Sequence, residues 1–303
     1  MNTEVKQRQN SQISIILNKY DEVLKQEESK AYSNPFKIID QKLSSLIGMD
    51  HIKNSLKEIY AMQKINEQRE KYQLKTSDQV YHMLFTGNPG TGKTTIARKL
   101  ANIFYEINVL PKDHIVEVDR SELVGEYIGQ TAQKTRSVIK KALGGVLFID
   151  EAYSLSRGGE KDFGKETIDT LVKYMEDYAN EFILILAGYP KEMEYFLSLN
   201  PGLKSRFPFF FDFPDYTADE LMLIAKQILK EREYTMTREA EWKLKNFIVE
   251  EINKNSFHFS NGRFIRNLIE KAMRHHAVRL MKEGKVTHFN ELSVLTVKDF
   301  QLM

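Results

Sequence analysis

The sequence predicts an α/β fold, a parallel β-sheet with helices on both faces, followed by a smaller all-α domain. Short β-favouring runs alternate with helical stretches between about residues 80 and 213. These runs are apolar along their length, which is typical of parallel strands buried on both faces. After Pro214 the hydrophobic residues recur at helical spacing instead.

Each apolar run predicts one strand, which makes a five-stranded sheet with flanking helices. In chain order the predicted strands are Val80 to Phe85, Ile115 to Val118, Val146 to Ile149, Phe182 to Ala187 and Phe209 to Phe213.

Helical spacing predicts three helices after the sheet. The segment Thr217 to Glu220 has the spacing of a capping box, and apolar residues then continue from Leu221 to Leu229. A second helix carries Trp242 to Ile252, and a third carries Phe264 to Met273. The C-terminal part should therefore be a small helical domain.

These patterns divide the chain into three parts. Residues 1 to 45, rich in Lys, Glu and Gln, predict an N-terminal helical extension. Residues 46 to 214 form the α/β domain and residues 215 to 303 the helical domain. No linker rich in Gly, Ser or Pro separates the last two, so we expect them to touch.

Composition excludes several function classes. The chain has no cysteine, which excludes disulfides and cysteine-ligated metal sites and fits a reducing compartment. Its longest apolar run, Phe182 to Ala187, is far shorter than the roughly 20 residues of a membrane span. We therefore expect a soluble, cytoplasmic protein without membrane insertion.

Nucleic acid is not expected as a partner. The formal net charge is only +2, which leaves no excess to attract a polyanion. Basic residues such as Arg274 and Arg279 are interpreted as solvated faces. The adjacent His275 and His276 are likewise expected to be exposed, not metal ligands.

A phosphate-binding loop follows the first predicted strand. Residues Gly87 to Thr94, GNPGTGKT, match G-x-x-x-x-G-K-[ST] and precede a helix predicted from Thr95 to Phe104. Backbone N–H groups and the helix N-terminus would hold phosphates, Lys93 would reach the outer phosphates, and Thr94 would offer its hydroxyl to Mg²⁺. The predicted nucleotide contacts are Gly87, Asn88, Pro89, Gly90, Thr91, Gly92, Lys93, Thr94 and Thr95.

Two acids end the third predicted strand, in the sequence VLFIDE. A buried strand that finishes in adjacent carboxylates indicates a site at the sheet's carboxyl edge, where open α/β folds bind ligands. Asp150 would hold Mg²⁺, and Glu151 would orient or activate the attacking water. The alternative is that both acids only cap the helix that follows.

In combination these motifs resemble the AAA+ ATPases, over about residues 44 to 282. The resemblance is to the branch that contains a sporulation protein and the red-type Rubisco activases. It is carried by LVGEYIGQTAQKTR, FIDEAYSLSRGGEKDFGKE, AGYP, SLNPGLKSRF and SNGRFIRN. It implies a P-loop NTPase fold with a helical lid, ATP and Mg²⁺, and a role in spore formation.

The resemblance also implies two functional arginines. Arg206 falls where the family carries an arginine finger that reaches a neighbouring subunit's ATP, although Lys204 could be confused with it. Arg263 falls where the second sensor projects from the lid, with Arg266 as the competing assignment. A surface arginine is the alternative for each.

Two further nucleotide contacts are implied less directly. Ile47 and Gly48 resemble the segment that packs on adenine, although a plain core turn explains them nearly as well. Tyr189 stands where many AAA+ proteins carry a polar first sensor such as Asn. Because a tyrosine hydroxyl is longer than an amide, this position departs from the family pattern.

The segment GEYIGQ implies a loop that faces a central channel. Tyr127 and Ile128 would contact a protein substrate there, and Gly125 and Gly129 would make the loop mobile. Alternatively, Tyr127 packs on its own domain. A second loop, Arg157 to Asp162, would line the same channel or simply be a charged loop.

Together these observations predict an ATP-hydrolysing homohexameric motor that remodels a protein substrate. A nucleotide-gated scaffold switch would use the same ATP residues without threading. A phosphotransferase acting on a small molecule is disfavoured, because Glu151 and Arg206 indicate water and a neighbouring subunit as the reacting partners.

Overall fold

The computed structural model describes most of the chain, in two compact units that span Met1–Ser45 and Leu46–Met303. The described residues are 36 to 44, 46 to 76, 79 to 127, 129 to 157, 163 to 254, 259 to 284 and 289 to 301. In the first unit they form helix α1, Lys37–Leu43. The remainder of the predicted N-terminal extension lies outside the described residues.

The predicted parallel sheet is confirmed. Its strands are β1 Met83–Gly87, β2 Ile115–Val118, β3 Val146–Ile149, β4 Ile183–Gly188 and β5 Phe209–Phe213. They lie in the order β2-β3-β4-β1-β5, and all neighbouring pairs are parallel. Phe85 pairs with Ala187 and Ile149 pairs with Leu186, so β1, β3 and β4 end at one edge of the sheet.

Helices flank this sheet. Their bounds are α2 Asp50–Lys71, α3 Lys93–Glu106, α4 Arg120–Leu123, α5 Gln130–Ala142, a short 3₁₀ helix Ala152–Ser156, α6 Gly164–Asp177, α7 Pro190–Leu199 and α8 Pro201–Lys204. Helix α3 buries Ile96, Leu100 and Ile103, at the spacing that places them on one helix face. The helix begins at Lys93, two residues before the predicted Thr95, because Gly92 supplies the left-handed residue before it.

The C-terminal domain is helical, as predicted, with one small addition. Its helices are α9 Ala218–Glu231, α10 Arg238–Asn253, α11 Asn261–Glu283 and α12 Phe289–Ser293, and two-residue strands β6 Thr235–Met236 and β7 Val294–Leu295 pair in parallel. The capping box of α9 is present, because Thr217 N donates to Glu220 Oε2 at 2.8 Å and Glu220 N donates to Thr217 Oγ1 at 3.3 Å. Trp242, on α10, is 70% exposed. No helix in the described ranges is both long and apolar enough to cross a bilayer.

Three side chains predicted to be exposed are at least partly packed inside the helical domain. His275 is half-buried and its Nδ1 atom lies 3.0 Å from the Asp299 carbonyl oxygen. His276 is buried and its Nε2 lies 2.8 Å from the Glu291 carbonyl oxygen. Arg279 donates from Nε and Nη2 to the buried Asp299, at 2.8 and 2.9 Å. The predictions were wrong because His276 continues the buried stripe of α11, four residues after Ala272, and the segment after α11 covers that stripe.

Candidate functional site

The phosphate loop joins β1 to α3 and is tightly packed. Gly90 and Gly92 have left-handed φ angles of 73° and 97°, which glycine adopts without strain. A Cβ atom on Gly90 would lie 2.0 Å from the Ser260 carbonyl oxygen, so a larger residue has no room. Within the loop, Thr91 Oγ1 donates to the Asn88 carbonyl oxygen at 2.8 Å.

Lys93 stands at the first position of α3. Its Nζ atom donates to the carbonyl oxygens of Gly87 and Asn88, at 2.7 and 2.8 Å. Burial lowers the pKa of Lys93. The ammonium group is therefore held at the mouth of the loop, at the carboxyl edge of the sheet.

Charged groups from three other segments surround this ammonium. The charges of Asp150, Asp215 and Glu151 raise the pKa of Lys93, and the charge of Arg263 lowers it, although burial has the larger effect. The structure thus brings together the phosphate loop, the acids after β3 and an arginine of α11. Asp215 was not among the residues predicted from sequence.

The two acids occupy different environments. Asp150 is half-buried, and its Oδ1 atom accepts a hydrogen bond from Glu151 N at 2.9 Å. Glu151 is exposed, has an unusual left-handed φ of 47° and does not cap the 3₁₀ helix with its side chain. The Glu151 side chain therefore does not cap this helix, and its charge acts on Lys93.

Two tyrosines pack beside the acids. Tyr189, directly after β4, places its ring centroid 6.0 Å from Lys93 Nζ and 5.7 Å from the ring of Tyr153. Tyr153 is buried, and burial followed by the charge of Glu151 raises the pKa of its hydroxyl. Sequence reasoning missed Tyr153, although its place two residues after Glu151 was a usable signal.

The segment Ile47 to Met49 lies beside the end of the phosphate loop. A Cβ atom on Gly92 would approach Met49 Cε at 3.3 Å and the Tyr216 hydroxyl at 3.1 Å. Tyr216 donates from that hydroxyl to the Thr91 carbonyl oxygen at 3.0 Å. Burial, followed by the charge of Glu220, raises the pKa of Tyr216 to about 12, so the hydroxyl remains a donor. Ile47 and Gly48 are half-buried, and their segment forms one wall of this region.

Arg263 lies on the first turn of α11, next to the loop. Gly262 N donates to the Gly90 carbonyl oxygen at 3.0 Å, which holds the start of α11 against the loop. Arg263 is exposed and its charge acts on Lys93. Arg266 is also exposed but lies nearly one helical turn further along α11, so Arg263 is the closer of the two to this contact.

Arg206 is not part of the group around Lys93. It follows α8, and its guanidinium contacts the Gly202 carbonyl oxygen and the Glu176 carboxylate of α6. Its Nε atom is buried and has no hydrogen-bond partner among the described residues. The competing Lys204 is exposed.

The aromatic loop joins α4 to α5. Tyr127 is 67% exposed, so it does not pack on its own domain. Gly129 has a left-handed φ of 85°. Gly125 is buried, donates its N–H to Thr131 Oγ1 at 3.0 Å, and would bring a Cβ atom within 2.6 Å of Gln130 Cβ. Gly125 therefore permits close packing at the loop base, which differs from the mobility expected of it.

Ile128 and residues 158 to 162 of the second loop lie outside the described residues.

Comparison with known families matches both parts of this architecture. The profile described as "ATPase family associated with various cellular activities (AAA)" matches residues 83 to 215. A profile described as "AAA lid domain" matches residues 217 to 303. The second profile covers the helical domain, which is called the lid domain below.

Individual proteins show the same relationship over most of the chain. "Stage V sporulation protein K" of Bacillus subtilis is 55% identical over 90% of this chain and 89% of its own length. "Ribulose bisphosphate carboxylase/oxygenase activase, chloroplastic" of Cyanidioschyzon merolae is 42% identical, with 85% and 88% covered. "Protein CbbX" of Cereibacter sphaeroides is 43% identical, with 80% and 78% covered.

A solved structure agrees in fold. The structure titled "Crystal structure of FIGL-1 AAA domain in complex with ADP" superposes with a TM-score of 0.58 at 19% identity, covering 85% of this chain and 81% of that one. The chain therefore belongs to the AAA+ ATPases, with an AAA domain followed by a lid domain.

Proposed function

We propose that this protein hydrolyses ATP to ADP and phosphate, and that it works as a homohexameric ring that remodels a protein substrate. One observation carries the ATPase part of the proposal. Asp150, Glu151 and Arg263, from segments far apart in the chain, all act on the ammonium of Lys93. A phosphate loop with acids and an arginine beside its lysine supplies the electrostatic groups that phosphoryl transfer uses.

In this proposal, backbone N–H groups bind the phosphates of the nucleotide, and residues on two sides contact its base. The N–H groups of the phosphate loop and the N-terminus of α3 favour negative charge, and Lys93 adds a cation that can move onto the phosphates. Ile47 and Gly48 on one side and Tyr216 on the other would border the base.

Thr94 and Asp150 fit Mg²⁺. A hydroxyl and a carboxylate are hard oxygen donors, and both stand where the loop and β3 end. When bound with ATP, the ion would neutralise charge on the phosphate oxygens.

Hydrolysis would depend on Glu151, which would accept a hydrogen bond from the attacking water and orient it. Tyr189 would act as first sensor, because its ring already lies 6.0 Å from Lys93 Nζ. Arg263 would reach the γ-phosphate from the lid. Arg206, from a neighbouring subunit, would stabilise charge in the transition state, a role worth roughly 10³ to 10⁵ in rate.

Replacing Glu151 tests the ATPase proposal. Glu151→Gln keeps the size of the side chain but removes the carboxylate, so we expect ATP binding to persist and hydrolysis to fall at least about 100-fold. Binding can be measured by equilibrium titration with a fluorescent ATP analogue, and turnover by phosphate release. Glu166→Gln, an acid on α6, is the matched control. Wild-type turnover in Glu151→Gln would refute the assigned role.

The remodelling part of the proposal is supported by the exposure of Tyr127. An aromatic ring that is 67% exposed between two glycines can contact a chain without reading its sequence. The relative named as a Rubisco activase acts, by its name, on another enzyme. Similarity to a sporulation protein leads us to propose a cytoplasmic role in spore formation.

Removing the Tyr127 ring separates remodelling from hydrolysis. We expect Tyr127→Ala to retain basal ATPase activity within about twofold, because Tyr127 is not among the groups that act on Lys93, and to lose substrate remodelling. Remodelling can be followed with a protein substrate captured by Glu151→Gln in ATP. Tyr105→Ala, another exposed aromatic, serves as control. Intact remodelling in Tyr127→Ala would favour a scaffold switch over threading.

A further inference from the structure

The first residue of α11 is a buried asparagine with an unusual backbone. Asn261 is fully buried and has a left-handed φ of 47°. Asparagine tolerates this conformation better than most residues, but a buried amide must also find hydrogen-bond partners inside the fold. Both requirements point to a specific role for this side chain.

The amide of Asn261 bonds to groups on two other segments. Its Nδ2 atom donates to Asp215 Oδ1 at 2.7 Å and lies 3.4 Å from the Pro89 carbonyl oxygen. Its Oδ1 atom accepts from Tyr216 N at 3.0 Å. One side chain of the lid therefore contacts both the phosphate loop and the connection between the two domains.

The same contacts continue toward Lys93. Asn88 Nδ2 donates to both carboxylate oxygens of Asp215, each at 3.0 Å. The carbonyl oxygen of Asn88 in turn accepts from Lys93 Nζ at 2.8 Å. Asn261 is thus linked to Lys93 by hydrogen bonds through Asp215 and Asn88, so a change in the position of the lid at Asn261 would act on the loop residue that bonds to Lys93.

We propose that Asn261 is a positioning residue of the nucleotide site, whose amide holds the helix that carries Arg263 against the phosphate loop that carries Lys93. This inference rests on the proposed ATPase function. Loss of the amide would let the lid move independently of the loop. Nucleotide would then dissociate faster, and turnover would fall because Arg263 is less well placed.

Asn261→Gly tests the amide alone, since glycine keeps the left-handed backbone. We expect a fluorescent ADP analogue to dissociate about tenfold faster, as the loss of a hydrogen bond to a charged group implies. KM for ATP should rise and kcat should fall. The matched control is Asn267→Ala, an exposed amide on the same helix, which should leave all three quantities unchanged. Thermal unfolding of both variants establishes that they are folded.

Exchanging the two partners tests whether Asn261 acts through Asp215. Asn261→Asp places two carboxylates together, and Asp215→Asn leaves amide facing amide, so each should accelerate ADP release. The double variant restores one amide opposite one carboxylate and should recover much of the slow release.

Two results would overturn the inference. One is an Asn261→Gly protein that releases ADP at the wild-type rate, and the other is a double variant no better than the worse single variant. If the wild-type protein binds no nucleotide, the ATPase proposal itself is refuted. If the wild type hydrolyses ATP and the Asn261 variants release ADP at the wild-type rate, only the role of Asn261 is refuted.

Discussion

Tyr153 is a buried tyrosine two residues after the proposed catalytic acid, Glu151. Its ring stacks against Tyr189 at 5.7 Å, and Arg157 lies 4.8 Å from the ring centroid. Burial raises the pKa of its hydroxyl, and the charge of the Glu151 carboxylate raises that pKa further. We therefore predict that this hydroxyl helps to position the Glu151 carboxylate.

Tyr153→Phe removes this hydroxyl while the ring stack stays. We expect kcat for ATP to fall about threefold to tenfold, with KM and ADP affinity unchanged, because the interaction of this hydroxyl with the Glu151 carboxylate is lost. Steady-state phosphate release and nucleotide titration measure the two effects. Tyr72→Phe, at an exposed tyrosine, is the control. A loss of ADP affinity with unchanged kcat would contradict this assignment.

Local motifs located some site residues, and distance in sequence hid the others. The phosphate loop and the Asp150-Glu151 pair are contiguous, so spacing alone identifies them. Tyr216 and Asn261 bond to loop carbonyls 125 and 172 residues away. No periodicity or motif encodes such a contact, because it exists only after the lid folds onto the loop.

His82, directly before β1, accepts a backbone hydrogen bond from the neighbouring strand β4 and must be neutral to do so. The Nδ1 atom of His82 accepts a hydrogen bond from Leu184 N at 3.0 Å, and its ring packs near Phe182 and Phe207. Burial lowers the pKa of His82 to about 4, against an opposing effect of the Met175 carbonyl. A protonated ring could no longer accept the Leu184 bond.

This histidine makes stability depend on pH. Its pKa is 6.5 when unperturbed and about 4 in the fold, so between these values the unfolded chain binds the additional proton. The free energy of unfolding should therefore fall as pH falls through this window, by at most about 1.4 kcal/mol per pH unit from this group.

His82→Gln retains an acceptor for Leu184 N but cannot titrate. Urea unfolding at pH 7 and pH 5 should show a smaller loss of stability for this variant than for wild type. His51→Gln, at an exposed histidine, should behave as wild type. Equal pH dependence in wild type and His82→Gln would exclude this histidine as a source of acid sensitivity.

The elements themselves followed closely from hydrophobic pattern. Runs such as Val146 to Ile149 are apolar on both faces and appear as strands at the predicted residues. By contrast, β6 and β7 have two residues each, and a hydrophobic periodicity cannot be recognised over two residues. His276 was misplaced because a polar side chain occupied a position in the buried stripe of α11.

At the scale of the whole molecule, Arg206 is not among the groups around Lys93 of its own chain. Its guanidinium contacts Glu176 of the same chain. A ring built from head-to-tail contacts would bring this surface against the next subunit. The exposed Lys204 lies close in sequence, so an experiment must separate the two cations.

Mixing two inactive variants tests action between subunits. The Arg206→Ala variant lacks the proposed arginine finger but keeps Glu151. The Glu151→Gln variant lacks the catalytic carboxylate but keeps Arg206. If the finger acts on a neighbour, an equal mixture should regain activity at about a quarter of its sites, assuming random closed rings. Phosphate release after subunit exchange measures this recovery.

Lys204→Ala replaces Arg206→Ala in the control mixture and should be active alone. Failure of the first mixture to recover, with exchange shown by a labelled subunit, would argue that Arg206 acts within its own chain.

The exposed ring of Trp242 has a practical consequence. It is the chain's one tryptophan and is 70% exposed on the lid. Tryptophan fluorescence therefore reports the solvent exposure of this one position. Anything that docks there would shift the emission to shorter wavelength without any attached dye.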